Sequence, residues 1–294
     1  MPTSFPLRML RRVAGLEAMP QPPLVRLTGP VVLMHGFGMI AGIKRKGHLH
    51  DEALWLRLHG VRAYAPNVAP YQTIAARAAM WAERLGAVLA ETGAPRLHLV
   101  AHSMGGLDAR YLVSRMGWHD RVATLTTVAT PHHGTTLAEI ALDPPVPFHD
   151  ATAALVHRAA GLVDWAGAGV LDGGGSDILA ATAELTREYV CERFNPAVPD
   201  HPDVVYRSYA GRAGRGTDVP ISAVMRVQNA LIHAREGIND GIVGTESARW
   251  TGFQGALDAD HMAQIGIGSG RAAGFRARDF YLGLARVLAA GDGC

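Results

Sequence analysis

The stretch LHLVAHSMGGL, residues 97–107, decides the fold of this 294-residue chain. An apolar run leads directly into Ser103, and a stretch of helical composition follows the serine at once. Ala101 and Gly105 lie two positions on either side of it, where bulky side chains would collide in the tight turn that this arrangement requires. The usual form of such a turn begins with glycine, and the alanine at 101 is small enough to fit. The pattern therefore predicts a strand, a sharp turn that presents a serine, and a helix.

Outward from this stretch, short β-branched runs alternate with longer runs rich in alanine and leucine. The alternation predicts an α/β fold, with a mostly parallel central sheet and helices on both faces. The predicted strands are 31–34, 61–65, 97–101, 122–128 and 204–209. The predicted helices are about 51–59, 72–92, 104–116, 152–168, 177–190 and 273–290. The apolar residues of 72–92 recur at three- and four-residue steps, which predicts one face packed on the sheet, and they are Ile74, Ala78, Trp81, Leu85, Val88 and Leu89.

The alternation never stops long enough to mark a second domain, so we predict a single domain over residues 1–294. Two stretches interrupt it. Residues 137–176 hold an apolar helix between a proline-rich and a glycine-rich segment, and residues 211–239 form a second excursion. Long insertions in a compact domain are usually lids or binding loops. We therefore expect an inserted helical cap or lid at about 137–190.

Composition excludes several classes of protein. The chain is 48% hydrophobic and 18% charged with a formal net charge of +2, which argues against intrinsic disorder and against a nucleic-acid partner. The most apolar windows carry charged residues, so no integral membrane segment is expected. The first residues lack the pattern of an export signal, and we expect a cytoplasmic protein. Whether Cys191 and Cys294 pair is left open by the sequence.

A serine hydroxyl is a poor nucleophile, and it needs a general base and hydrogen-bond donors for the developing oxyanion. The run VVLMHGFG, residues 31–38, ends in a glycine-rich turn that can bring a backbone N–H close to the serine. We predict Phe37 N–H as one oxyanion donor and Met104 N–H, at the start of the next helix, as the other. The alternative is a glycine-rich turn with no chemical role. His35 is expected to shape this loop by hydrogen bonding to backbone.

These segments together resemble the α/β-hydrolase fold, and within it the bacterial true-lipase family of triacylglycerol lipases. The resemblance covers roughly 28–145 and 177–270, and its further segments are 61–67, VATPHHG (128–134), NDGIV (239–243) and DHMAQIG (260–266). It implies a catalytic serine, acid and histidine in that chain order.

The resemblance assigns the roles of Ser103, Asp240 and His261. Asp240 matches the position of the family's acid, with Asp258 and Asp260 as rivals, of which Asp260 is expected to cap a loop. His261 is the one histidine after position 240. His102 is expected to point away from the serine and to be structural.

The resemblance also raises the question of a structural calcium ion, which many of these lipases bind. Asp218 fits the first expected ligand, but Ala263 stands where the second carboxylate is expected, and Gln264 carries no charge to replace it. Calcium requires six to eight oxygen ligands with anionic ones among them. The histidines of 48–52 and His132-His133 do not supply the converging set that zinc requires. We predict no metal and no cofactor.

The sequence thus predicts a serine carboxylester hydrolase, most specifically a triacylglycerol lipase that cleaves fatty-acyl esters through an acyl-enzyme on Ser103. Its partner would be a fatty-acyl ester or lipid, and a lipid–water interface is one place where the two could meet. The alternatives are a short-chain carboxylesterase, a thioesterase or a polyester hydrolase and, from another class, a noncatalytic binding protein with the same fold.

Overall fold

A six-stranded, entirely parallel sheet organises the chain in a computed structural model that describes residues 9–10, 13–15, 23–38, 49–143, 177–267 and 274–292. The strands are β1 (Val31–Met34), β2 (Ala63–Tyr64), β3 (Leu97–His102), β4 (Val122–Val128), β5 (Val205–Arg212) and β6 (Phe253–Asp258). Their order across the sheet is β2-β1-β3-β4-β5-β6. All carboxyl ends therefore lie at one edge, where an open α/β sheet places its ligand site.

Helices cover both faces of the sheet, as predicted. Among the described residues, the α-helices of four or more residues are α1 (His50–Leu58), α2 (Ile74–Thr92), α3 (Gly105–Arg115), α4 (Thr136–Leu142), α5 (Ile178–Ala183), α6 (Arg226–Glu236) and α7 (Ala277–Gly291). Helices α1 and α7 pack together on one face, and α2 and α3 on the other.

The burial pattern of β1 shows how the sheet divides its core. Val31 and Leu33 belong to the cluster under α1 and α7, whereas Val32 and Met34 belong to the cluster under α2 and α3. Successive side chains of a strand point to opposite faces, so a strand that is covered on both sides is apolar throughout. Each large aliphatic side chain that is fully buried in this way contributes about 1.5–3 kcal/mol.

Helix α2 has the amphipathic form that its periodicity predicts. The side chain of Thr73 caps its first turn by accepting from Ala76 N–H, and the helix ends at Gly93 in the left-handed conformation (φ 63°). The predicted stripe is buried against β1 and β3 from Ala78 to Val88, with Leu89 half-buried at its end, whereas Ile74 is buried in a separate cluster with Met104 and Leu107.

The structure corrects one predicted helix and adds two elements that the sequence did not predict. The predicted helix 177–190 is shorter, because α5 ends at Ala183 and a π-helical turn, Tyr189–Phe194, follows. The Thr186 hydroxyl donates to Ala183 O and accepts from Tyr189 N–H, which competes with helical hydrogen bonding. Strand β6 and helix α6 were not predicted, and α6 lies within the second excursion. Residues 144–176, which hold most of the predicted cap and the predicted helix 152–168, lie outside the described residues.

Candidate active site

Ser103 occupies the turn between β3 and α3 in a conformation that non-glycine residues seldom adopt. Its φ is 58°, in the left-handed region, which costs an L-residue roughly 1–2 kcal/mol. The neighbouring strand holds the turn in place, since Ser103 N–H donates to Val128 O (2.9 Å) and the Thr130 hydroxyl donates to Ser103 O (2.7 Å). The serine is thus presented at the carboxyl edge of the sheet, as the sequence predicts.

Small residues around this turn are required by close backbone approach. A Cβ on Gly36 would lie 2.6 Å from Ser103 Cβ and 2.8 Å from Met104 N, and one on Gly105 would lie 2.8 Å from His35 O. Ala101, at the position where the motif usually has glycine, is fully buried in the core and its methyl group is accommodated. The loop after β1 and the start of α3 are therefore in direct contact.

That contact places the two predicted oxyanion donors beside the serine. Phe37 lies one residue beyond the point where Gly36 meets Ser103, and Met104 precedes the first residue of α3. In the part of the chain that the structure describes, neither N–H donates to a protein acceptor. His35 secures the loop as expected, with Nδ1 2.9 Å from Gly36 O and Nε2 accepting from Val68 N–H (3.1 Å).

A buried arginine that the sequence analysis did not single out also holds this loop. Arg77 of α2 is fully buried and donates through Nη2 to His35 O (2.7 Å) and through Nη1 to Ala69 O (2.7 Å). Its Nε donates to Asp108 Oδ2 of α3 (2.9 Å). Arg77 thereby ties the loop of the first donor to the helix of the second. Its place on the apolar face of α2 was the available signal, because a charged residue there must find a partner.

Asp240 and His261 form the pair that the resemblance implies. His261 Nδ1 lies 2.8 Å from Asp240 Oδ2, and His261 N–H donates to Asp240 O (3.0 Å). The other carboxylate oxygen, Oδ1, accepts from the N–H groups of Ile242 (3.0 Å) and Val243 (2.8 Å). An acceptor at Nδ1 fixes the proton there and leaves Nε2 as the basic nitrogen.

The hydrogen bonds around Asp240 keep it ionised in spite of complete burial. Burial alone raises the pKa of this carboxyl, but the charge of His261 and the donors from His261, Val243 and Ile242 outweigh it. The net result is a pKa below the ordinary value. The carboxylate can therefore orient His261 and stabilise its protonated form.

Ser103 and His261 share one small pocket at the carboxyl edge of the sheet. Its wall combines the loop after β1, the turn at Ser103 and the loop that holds His261 with apolar residues. It is lined by His35, Gly36, Phe37, His102, Ser103, Ile242, His261, Met262 and Ile265. A polar reacting centre is thus set against an apolar wall, which suits an acyl group.

The expectation for His102 was partly wrong. Its ring does not point away from the site, because its centroid lies 4.4 Å from that of His261 and it lines the pocket. It also contacts Gln264, with His102 Nε2 3.1 Å from Gln264 Oε1. Gln264 in turn donates to Asp240 Oδ2 (3.0 Å), a contact that the sequence analysis missed. A buried amide three residues after the histidine was the available signal.

The rival acids have other partners. Asp260 accepts from Ala263 N–H (2.8 Å) and Ser222 N–H (3.0 Å), so it caps a loop as expected. Asp258 forms a surface ion pair with Arg212 (2.6 Å).

The two positions considered for calcium differ in exposure. Asp218 is exposed, whereas Ala263 is buried and offers no side-chain oxygen. The amide of Gln264 is already committed to Asp240 and His102. Within the described ranges, no three His, Cys, Asp or Glu residues converge as metal ligands.

The described residues also bear on the predictions for His132, for the pairing of Cys191 and for a membrane-spanning segment. His132 is buried and hydrogen-bonded to Thr127 and Arg110. Cys191 is exposed, and its possible partner Cys294 lies outside the described residues. No helix in the described part of the chain is long and apolar enough to cross a bilayer.

Comparison with known proteins first identifies a family. The model of a family described as a domain of unknown function (DUF7379) matches residues 11–159, half of the chain. A triacylglycerol lipase of Pseudarthrobacter phenanthrenivorans is 32% identical over 123 residues, 39% of this chain and 36% of that protein. Triacylglycerol lipase 2 of Saccharomyces cerevisiae is 30% identical over 179 residues, 58% of this chain and 45% of that protein. The chain thus spans less than half the length of these curated relatives, and the predicted resemblance to triacylglycerol lipases is confirmed.

Solved structures share the fold over most of the chain. Lipase 1 from Pelosinus fermentans superposes with a TM-score of 0.63 at 22% identity, covering 90% of this chain and 99% of that one. A metagenomic carboxyl esterase superposes with a TM-score of 0.64 at 21% identity, covering 94% of this chain and 78% of that one. The predicted α/β-hydrolase fold is confirmed.

Proposed function

Since the chain belongs to the DUF7379 family and has the α/β-hydrolase fold, we propose that it is a serine carboxylester hydrolase, and most specifically a triacylglycerol lipase. One observation carries the proposal. Ser103, in its left-handed turn, and His261, hydrogen-bonded to Asp240, line the same apolar-walled pocket.

The first half of the reaction forms an acyl-enzyme. His261 Nε2 takes the proton of Ser103 Oγ as that oxygen attacks the ester carbonyl carbon. The carbonyl oxygen becomes an oxyanion that the N–H groups of Phe37 and Met104 stabilise. When the tetrahedral intermediate collapses, the bond to the alcohol oxygen breaks and His261 gives its proton to the leaving alcohol.

The second half releases the acid. Water replaces the alcohol, His261 takes one of its protons, and the resulting hydroxide oxygen attacks the acyl carbon. Collapse of this second intermediate breaks the bond to Ser103 Oγ, which recovers the proton from His261. The products are a fatty acid and an alcohol, and the enzyme returns to its initial state.

The choice of a lipase within this class is supported by the curated relatives and by the pocket wall. Both relatives are named triacylglycerol lipases. The side chains of Ile242, Met262 and Ile265 line the pocket with Ser103. Apolar walls favour a hydrocarbon acyl chain over a polar one.

The test is hydrolysis of p-nitrophenyl esters from C2 to C16, with an emulsified triglyceride alongside. We expect turnover that Ser103→Ala abolishes while the circular dichroism spectrum stays unchanged. Greatest activity on long chains together with cleavage of the emulsion is expected of a lipase. Activity restricted to short chains would instead identify a short-chain carboxylesterase, and turnover retained by Ser103→Ala would refute the serine mechanism.

A further inference from the structure

Gln264 makes contacts in the site that the proposed mechanism does not use. Its side chain is fully buried and lies in a short 3-10 turn, Ala263–Ile265, just after the histidine. Nε2 lies 3.0 Å from Asp240 Oδ2 and 3.4 Å from Ala259 O, and Oε1 lies 3.1 Å from His102 Nε2. All three contacts are in the interior, where a polar group left without a hydrogen-bond partner is destabilising.

The chemistry of its partners determines which way the amide points. The Asp240 carboxylate and Ala259 O accept hydrogen bonds and cannot donate them, so Gln264 must present its NH2 group to both. Its carbonyl oxygen then faces His102 Nε2, which must carry a proton in order to donate. The charge on Asp240 thus dictates the orientation of Gln264, and Gln264 dictates that the protonated nitrogen of His102 is Nε2.

The amide is held tightly because the backbone beside it is glycine. A Cβ on Gly211 of β5 would lie 2.1 Å from Gln264 Nε2, 2.8 Å from Asp240 Cβ and 2.9 Å from Asp240 Oδ2. Any larger residue at 211 would displace the amide or the carboxylate. The fold therefore provides a slot for this amide against the acid.

We propose that Gln264 is a positioning residue for the Asp240–His261 pair and that, through His102, it also fixes the imidazole that packs against His261. Asp240 Oδ2 receives two donors, His261 Nδ1–H and Gln264 Nε2–H, while Oδ1 receives the two backbone donors. With Gln264 in place, neither oxygen can rotate away from the histidine without losing a bond.

The inference rests on the proposed function, since it deepens the role of the same site. Gln264 does not touch the reacting atoms, and it acts through Asp240 and His102. We expect its loss to cost about 10–100-fold in activity, the magnitude known for outer partners that orient metal-ligating residues. We expect its loss to lower kcat and to leave KM nearly unchanged, because the buried amide is not in a position to contact the substrate.

The first variant is Gln264→Met, which is similar in length and lacks the donor. We expect kcat to fall about 10–100-fold with KM changed less than about twofold. We also expect the low-field proton resonance of His261 Nδ1–H to shift in the resting enzyme. Gln254→Met, an exposed residue of β6, is the matched control and should change neither quantity.

The second variant is Gln264→Glu, which separates positioning from packing. A protonated glutamic acid retains one donor for Asp240 and one acceptor for His102, so activity should be close to that of the wild type at low pH. Ionisation would put a second carboxylate beside Asp240 in a site that also faces His102 and His261, with Asp260 one turn earlier. We therefore expect a loss of kcat as pH rises, a limb that is absent from the wild type.

Two results would overturn the proposal. A Gln264→Met enzyme with wild-type kcat and an unshifted resonance would overturn it, as would a Gln264→Glu enzyme with the pH profile of the wild type. If the methionine variant does not fold, the glutamate variant decides alone. The resonance is measured without substrate, so a wild-type protein that cleaves no ester would refute the proposed function while the resonance still tests the positioning role.

Discussion

At the scale of single residues, the geometry of the site depends on glycine positions at which any side chain would clash with a neighbouring segment. Gly36 and Gly86 are both glycines with φ outside the left-handed region, but their surroundings differ. A Cβ on Gly36 would meet Ser103 Cβ at 2.6 Å, whereas one on Gly86, within α2, would meet nothing within 4 Å. The same substitution should therefore have opposite effects at the two positions.

Gly36→Ala should destabilise the protein by about 1–3 kcal/mol through overpacking. It should also lower kcat at least tenfold, because the added methyl group pushes the loop after β1 away from the serine. Gly86→Ala should stabilise it by about 0.5–1 kcal/mol, because alanine is the better helix former. Urea denaturation and ester hydrolysis measure both effects. If the two variants showed equal stability and equal kcat, the close approach at Gly36 would be disproved.

Residue chemistry also explains what the sequence could and could not predict about the site. Ser103, His35 and Asp260 were placed correctly because a turn, a strand end and a loop cap each have a local pattern. Gln264 and Arg77 were missed, since their partners lie 24 and 42 positions away. Their positions, on the apolar face of α2 and just after the histidine, were visible in the sequence, but the identity of such distant partners was not.

At the scale of elements, Arg77 joins α2, α3 and the loop after β1. Burial raises the pKa of Asp108 to about 6, although the charge and hydrogen bond of Arg77 oppose that rise. The pair is fully buried, and removal of one partner leaves the other without compensation. The ion pair therefore matters both for stability and for the position of His35.

Arg77→Met should cost about 3–5 kcal/mol, since it leaves a buried carboxylate unpaired. The double variant Arg77→Met with Asp108→Leu should recover most of that loss, because replacing a whole buried pair by apolar residues is often nearly neutral. Its kcat should nevertheless stay at least tenfold low, because His35 O has lost its donor. Urea denaturation and kcat are measured on the same samples. If the double variant recovered both its stability and its kcat, Arg77 would have no part in shaping the loop after β1.

Element boundaries show why some of the fold was not predictable. Strand β6 has the sequence FQGALD, with a glycine and no β-branched residue, so its strand propensity is weak. Its extended conformation is stabilised by pairing with β5. Helix α6 buries the polar Asn229 together with Ile232 and exposes Val227 and Leu231, so its buried face does not follow its apolar residues. Helix α2, whose pattern agrees with its environment, was predicted within two residues at its start.

At the scale of the whole molecule, buried histidines should make stability depend on pH. Burial lowers the pKa of His132 well below its ordinary value, and Arg110 and His133 lower it further. Burial likewise lowers the pKa of His98, with Asp292 opposing it. Below about pH 6.5 the unfolded chain binds protons that the folded protein does not, so stability falls as pH falls.

Between pH 7 and pH 5.5, His132 should lower the free energy of unfolding by up to about 1.4 kcal/mol per pH unit, and proton uptake by Asp108, whose pKa burial raises to about 6, should offset part of this loss. His132→Gln should flatten this slope, and His50→Gln, at the half-exposed start of α1, should leave it unchanged. Urea denaturation at several pH values measures the slope. A His132→Gln variant whose stability depends on pH in the same way as that of the wild type would contradict the prediction.

A second expectation at the scale of the whole molecule is that the protein does not depend on a metal ion. Calcium needs several anionic oxygens, and the position expected to supply one of them is Ala263. We therefore expect the same melting temperature and the same ester hydrolysis with and without excess chelator. A large loss of either in chelator would show a metal site that the prediction omits.

The central claim is that Ser103 is an activated nucleophile, and titration with a fluorophosphonate tests it most directly. Such a probe loses fluoride and forms a phosphonyl ester with the serine oxygen. We predict one adduct per chain by intact mass, mapped to Ser103 by peptide analysis and absent from Ser103→Ala. A protein that stays unlabelled, or labels equally in the Ser103→Ala variant, would contradict the account and would favour a noncatalytic binding protein with this fold.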